Sequence, residues 1–408
     1  MRRILALALT LAALAAAAPL HAQRAAQTPR RPALGAAADT NDARAYMQFA
    51  AQSFANRPAE AADAFYWAYQ LDPSSADALY GRYAAFLVSN PRRLFNYWNG
   101  DRRTVRAPEV LAMDSLYFRA LAMDPFLYRR HEITLFTTYL RQAVREATGG
   151  TASDAYIERE IDSFLVHSGP WLRAIEAYAN GRFPQALTFY DQALSRARSK
   201  SLVRAERGRL FAHVGNHQSA LEEFGHALTE MRREDERDLV FLYESKALIE
   251  HGIAMLHERA GNPDAAREAY GRALTEDLAF YPGHVRLGLM AMAAGDTASA
   301  VGEMDLASQA AGSDPYVLYL YGAMLAQLGR LDEAAPQLAR ASQVAPFYAD
   351  PHFALGMVHD AQGNVDGARQ AYRDFLARAA RTHRRRAAAE QRMAALSAPA
   401  DGQTAVAP

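Results

Sequence analysis

Apolar and polar positions alternate along this chain with the period of a helix, not of a strand. Across 317–327 the apolar residues recur at helical spacing, one face apolar and the other mixed. Asp314-Pro315 just before that stretch supplies an N-cap side chain and a proline suited to the first helical position. Asp350-Pro351 repeats the signal one unit later, so a helix is expected there with Asp350 as its cap. Gly329 follows the first block where a helix end wants a left-handed residue. A second amphipathic block covers 332–343, with Pro346 after it. Pro336 sits inside that block and predicts a local kink without loss of the helix. No stretch sustains period-two alternation, so strands are not expected.

The blocks repeat. Gly295-Asp296-Thr297-Ala298-Ser299-Ala300 is echoed by Gly329-Arg330-Leu331-Asp332-Glu333-Ala334 and by Gly363-Asn364-Val365-Asp366-Gly367-Ala368, the glycines 34 residues apart each time. Gly261 keeps the period; Gly215 lies 46 residues before it and Gly181 another 34 before that. The 12 extra residues of the long step fall within 228–243. A small residue leads each second-helix pattern: Ala186/Tyr190/Ala193, Ala220/Phe224/Ala227, Ala266/Tyr270/Ala273, Ala300/Met304/Ala307, Ala334/Leu338/Ala341 and Ala368/Tyr372/Phe375. In the first helices a glycine recurs as Gly208, Gly288, Gly322 and Gly356, with Ala174 and Ala254 in the other units. Small residues at these points let two helix backbones approach closely.

These residues resemble the tetratricopeptide repeat, whose unit of 34 residues is an antiparallel helix pair. The resemblance implies an all-α, right-handed superhelical solenoid and covers 167–380 strongly. Over 41–125 the match is looser. Asn56-Arg57-Pro58-Ala59-Glu60-Ala61, with Phe65, Ala68 and Pro73, fits one unit; 76–88 and 114–125 read as the helices of another, split by an insertion over 89–109. Residues 126–166, broken by Gly149-Gly150, are helical but match no repeat position, so 41–166 reads as an irregular N-terminal region.

The chain begins with Arg2, Arg3 and an apolar run over 4–18, then Pro19-Leu20-His21-Ala22. A charged start, a short apolar run and a small residue before the cut make a secretory signal peptide, with cleavage expected after Ala22. The run is too short for a spanning anchor, so the exported chain is not expected to span a membrane. A periplasmic or other extracytoplasmic location follows. Residues 23–40, with Pro29 and Pro32 among alanines, read as a flexible linker, and 381–408 as a basic capping helix and tail.

Composition narrows the function further. The 408 residues carry 45 basic and 45 acidic side chains, and removing 1–22 leaves 43 against 45. A chain this neutral is not expected to bind nucleic acid by neutralising phosphates. There is no cysteine, which removes thiol catalysis, Cys-type zinc sites and a lipoprotein attachment site together. Only Lys200 and Lys246 are lysines, so no glycine-rich phosphate loop has its lysine. His131-Glu132 opens like a zinc helix, but Leu135 stands where the second histidine belongs. No cofactor, metal or catalytic motif emerges, and a non-catalytic protein is expected.

Two candidate surfaces remain. In tetratricopeptide proteins the first helices line a concave groove, and the resemblance places Trp171, Ile175 and Tyr178, His251 and Met255, Leu289 and Met292, Tyr316 and Tyr319, and Phe353 and Met357 there. The lysine and asparagine with which chaperone-binding members clamp a terminal carboxylate are absent from these positions. An aromatic and methionine lining suits an apolar peptide or partner subunit. The alternative surface is the insertion, where Arg92, Arg93, Arg102 and Arg103 stand among Phe95, Tyr97 and Trp98. Arginine with aromatics is a recognition composition, here for a glycan or small ligand.

Overall fold

A computed structural model describes residues 28–197, 200–235 and 245–397. The expected signal sequence, the end of the basic tail, and half of the stretch that holds the long step between units (236–243) lie outside these residues. The described residues form 21 helices and no strand. In the N-terminal half these are α1 (Ala43–Ser53), α2 (Pro58–Leu71), α3 (Ala76–Val88), α4 (Pro91–Trp98), α5 (Arg102–Val105) and α6 (Pro108–Met123). Helices α1 and α2 pair, and α3 pairs with α6 across the insertion, which holds α4 and α5. A hairpin follows, α7 (Glu132–Ala147) and α8 (Asp154–His167).

Six helix pairs make up the array: α9 (Pro170–Ala179) with α10 (Phe183–Arg196), α11 (Ser201–His213) with α12 (His217–Asp235), and α13 (Lys246–Arg259) with α14 (Pro263–Glu276). Then come α15 (Tyr281–Ala293) with α16 (Thr297–Ala310), α17 (Pro315–Gln327) with α18 (Leu331–Val344), and α19 (Asp350–Ala361) with α20 (Val365–Arg378). Helix α21 (Arg386–Ser397) packs on α20 and caps the stack.

The periodic residues explain the pairing. Gly329 takes φ +74°, and the amides of Gly329 and Arg330 donate to the Ala326 and Leu325 carbonyls, closing α17 before α18 begins. Asp314 Oδ1 accepts from the amides of Tyr316 and Val317, the expected cap. Asp350 differs from expectation. Its helix starts at Asp350 itself, with Ala349 as the cap residue, and the carboxylate instead meets Arg385 Nη1 at 2.8 Å. Helix α18 runs through Pro336 and the repeat is kept. Helix α12 is 19 residues long where its counterparts have 14, absorbing part of the extra length.

Each second-helix triplet is buried, and in the four units with a first-helix glycine its middle side chain rests on that glycine. A Cβ built on Gly322 would stand 2.6 Å from Leu338 Cγ, and one on Gly356 2.6 Å from the Tyr372 ring. Gly322→Ala should therefore lose stability. Overpacking costs about 1–3 kcal/mol, whereas the helix-propensity gain of alanine over glycine is at most about 1 kcal/mol. Urea unfolding should show a lowered midpoint, and an unchanged or raised one would contradict this packing.

Candidate functional site

The first helices of the array face inward, and their inner face is covered by the N-terminal half of the same chain. Contacts run in opposite sequence order along the seam. At one end Arg129 pairs with Glu206 on α11 and Glu132, while Arg209 donates to Glu206 Oε1 at 3.1 Å and the Pro125 carbonyl at 3.1 Å. These two arginines and Glu206 are each at most 6% exposed. Phe126 packs against Gly252 and Phe224, with the Arg259 guanidinium 4.7 Å from its ring centre. Further along, Arg119 pairs with Asp314 and lies over Tyr69, and Trp67 meets Phe347 edge-on at 4.9 Å. At the far end Asn41 Nδ2 donates to the Ala377 carbonyl at 3.0 Å and Arg44 to Thr382 Oγ1.

The stretch expected as a flexible linker is part of this seam from Thr28 onward. Trp67 Nε1 donates to the Pro29 carbonyl at 3.0 Å, and Arg31 stacks between Trp67 and Phe347 while donating to Tyr46 Oη at 2.7 Å. Arg381 Nη2 donates to the Ala37 carbonyl at 3.0 Å. Its proline and alanine composition predicted no structure; the stacked arginine and the tryptophan hydrogen bond provide it. The basic run around 381–386 has a matching fate. Arg378 pairs with Asp374, Arg385 with Asp350, and Arg386 with Glu390 and the Leu376 and Ala379 carbonyls.

Most of the expected groove residues are therefore covered by their own chain. Tyr178 is buried against Tyr128, whose hydroxyl donates to the Tyr178 and Ala179 carbonyls at 3.0 Å. His251 is 1% exposed, hydrogen-bonded to the backbone of Ala122, and lies between the rings of Tyr270 and Phe280. Tyr319 accepts from Arg385 Nη1 at 2.9 Å, and Phe353 lies under the same guanidinium beside Tyr372 and Phe375. Met292 is half-buried against the core of α17–α19. Trp171 and Met357 stay exposed. Met255 and Tyr316 line an opening that the seam leaves, a cavity of about 370 Å³. Its walls are α13, α15 and α17 on one side and residues 74–77 and 122–124 on the other. Val285, Leu289 and Leu320 make it mainly apolar, with Tyr281, Arg286, Asp314 and Tyr316 as polar groups from the array and Ser74, Ser75, Asp77 and Asp124 from the other side. A second cleft, of about 390 Å³, lies beside Tyr319, Met357 and Arg385.

In the insertion the rings turn onto α7. Phe95 stacks on Tyr139 at 5.5 Å, Trp98 lies 5.3 Å from Tyr139, and Tyr97 Oη donates to Asp114 Oδ1 at 2.6 Å. Arg93 covers the Phe86 ring at 4.1 Å, whereas Arg92, Arg102 and Arg103 are exposed. Burial pushes the Asp114 carboxyl up to about 6 against the lowering effect of the Tyr97 hydroxyl.

Two histidines serve packing. His131 stacks on Phe54 at 3.8 Å, and burial lowers its imidazole to about 4. Burial, reinforced by Arg286, lowers that of His251 to about 3. An unfolded His251 titrates near its ordinary value of 6.5, so below that pH the unfolded chain takes up a proton that the folded chain refuses. His251 thus costs stability progressively as pH falls from 6.5 toward 3, about 2 kcal/mol by pH 5. His251→Gln, which keeps a donor for Ala122, should flatten that acid limb in unfolding measured between pH 7 and 5. An unchanged slope would contradict it. Among the described residues no group of three metal-ligating side chains stands together, and no helix is long and apolar enough to cross a membrane.

Comparison with known proteins decides the family. The tetratricopeptide-repeat model matches residues 172–235, 251–315, 285–349 and 324–383. The chain belongs to the tetratricopeptide-repeat family. The tetratricopeptide array therefore accounts for the second half of the chain, and the covering N-terminal half lies outside the matched residues. Solved structures similar to this one include the C-terminal part of a TPR repeat-containing protein from Cytophaga hutchinsonii, at 13% identity, 50% coverage of this chain, 78% of that one and a TM-score of 0.42. PilW, described as a widely conserved type IV pilus biogenesis factor, is 18% identical over 51% of this chain and 91% of its own, with a TM-score of 0.39. MamA is 17% identical over 43% of this chain and 90% of its own, with a TM-score of 0.34. No curated protein sequence matches the chain significantly. Tetratricopeptide repeats generally serve as protein-interaction scaffolds.

Proposed function

We propose that the protein is an exported, non-catalytic scaffold of the cell envelope that holds a peptide or partner subunit at the openings left along its seam. The observation that carries this reading is the 370 Å³ cavity between the two halves, whose walls from the array include Met255, Val285, Leu289 and Tyr316. An opening with mainly apolar walls accepts an apolar side chain and takes its orientation from the polar groups among them. Methionine and tyrosine adapt to such a side chain without a large entropy loss. Export rests on the leader pattern over 1–22.

The test places a photo-crosslinking residue at Tyr316, at Met357 beside the second cleft, and at Arg267 on the outward helix α14. Exposed cells of the native host should give one crosslinked protein from Tyr316 or Met357 and none from Arg267. Equal labelling at all three, or labelling from Arg267 alone, would sink the assignment.

A further inference from the structure

Helices α4, α7 and α8 leave an aromatic strip uncovered, and none of its rings lines the seam cavity. It runs from Trp98 on α4, 6.5 Å from Phe136 on α7, to Phe164 on α8, a further 6.1 Å away. Trp98 is 39% exposed and Phe164 49%. Within the array each apolar helix face is covered by the next pair; the α7–α8 hairpin departs from the repeat, and α8 packs chiefly on α7. Contiguous exposed aromatics on a folded surface mark a contact site.

The charges around the strip say what the contact is. At the α4 end Arg92, Arg102 and Arg103 are exposed, with Asp101 the acid beside Arg103. At the α8 end the acids that face α7 are used, Glu158 by Arg141 and Asp154 by Arg145. Glu160, exposed and one helical turn before Phe164, is left unpaired among the described residues. The strip is thus net basic at one end, aromatic in the middle and net acidic at the other, where Glu160 and Asp162 outnumber the exposed Arg159 that lies over Tyr156. Such a surface is complementary to itself when turned by half a revolution, as an isologous two-fold contact requires. A purely acidic partner would leave Glu160 opposed by like charge, and an anionic membrane would repel the α8 end.

We propose that this strip is where a second copy of the chain docks, with the arginines of each copy facing the other's Glu160 across stacked aromatic rings. The aromatic centre supplies the affinity, and the rim charges set the antiparallel orientation.

Sedimentation equilibrium of the full-length processed chain tests it. The wild type should be a dimer whose dissociation rises at least about tenfold in Trp98→Asp and in Phe164→Asp. Arg102→Glu/Arg103→Glu and Glu160→Arg should each be monomeric alone and form a mixed dimer when combined, because each then supplies the charges the other lacks. All five substitutions sit on exposed side chains, so unchanged circular dichroism and melting will separate lost association from lost fold. A wild type that stays monomeric at about 100 μM would overturn the proposal. So would a dimer indifferent to Trp98 and Phe164, charge-reversed variants that fail to pair, or a monomer that co-sediments with phosphatidylglycerol vesicles through Trp98.

Discussion

Replacing Glu206 by alanine is expected to destabilise the protein by about 3–5 kcal/mol, the largest effect of any single charged residue considered. Glu206 is 6% exposed and sits between Arg129 and Arg209, whose guanidinium groups are buried with it. Removing the carboxylate leaves two cations in a low-dielectric site with too few acceptors. The loss is then the desolvation of those cations, beyond the value of one hydrogen bond. Because Arg129 belongs to the N-terminal half and Glu206 to the array, the same change loosens one end of the seam. The control is Glu158, whose pair with Arg141 is half-exposed at 50% and 38%. Glu158→Ala should cost less than about 1 kcal/mol, as surface pairs do. Guanidinium unfolding of both variants reads the difference, and equal small losses would mean that the cluster is solvated.

Trp67→Ala carries the second-largest expected effect, about 3 kcal/mol or more, in the range for a buried tryptophan reduced to alanine. Trp67 is 6% exposed, and three separate segments depend on its ring: Arg31 stacks on it, Phe347 packs edge-on to it, and the Pro29 carbonyl accepts its Nε1 proton. The consequence is local as well as global. Residues 29–47 should exchange their amide protons faster and become open to trypsin after Arg30, while the array around α13–α18 keeps its protection. If exchange in 29–47 is unaffected, the tryptophan does not hold this segment.

These two residues also mark where sequence reasoning reaches and where it stops. The array was legible because each unit must solve the same packing problem. A glycine at φ +74° ends α17, and Gly322 and Leu338 meet where one helix crosses the next, so the solution recurs every 34 residues. The seam has no such signal. Arg129 and Glu206 are 77 residues apart, and Asn41 and Ala377 are 336 apart, with no repeated spacing to connect them. The aromatic lining of the first helices reads the same whether a partner or the chain itself covers it. Tyr178 and His251 were legible as inward-facing, but not as covered by Tyr128 and Ala122. Pro29, Pro32 and the alanines around them look like a linker in composition, because one stacking arginine in such a run leaves no pattern. Asp350 was misplaced by a single position for a similar reason: Arg385, its partner, is 35 residues away.

The absence of cysteine makes the closure of the chain on itself directly measurable. Asn41 and Ala377 belong to opposite halves, and the Asn41 side chain reaches the Ala377 carbonyl at 3.0 Å. With Asn41→Cys and Ala377→Cys together in the otherwise cysteine-free chain, mild oxidation at low protein concentration should form one intramolecular disulfide in nearly every molecule. Thiol titration and non-reducing gel mobility read it out. Two titratable thiols per chain after oxidation, or disulfides only between chains, would mean that the N-terminal half does not cover the inner face of the repeats.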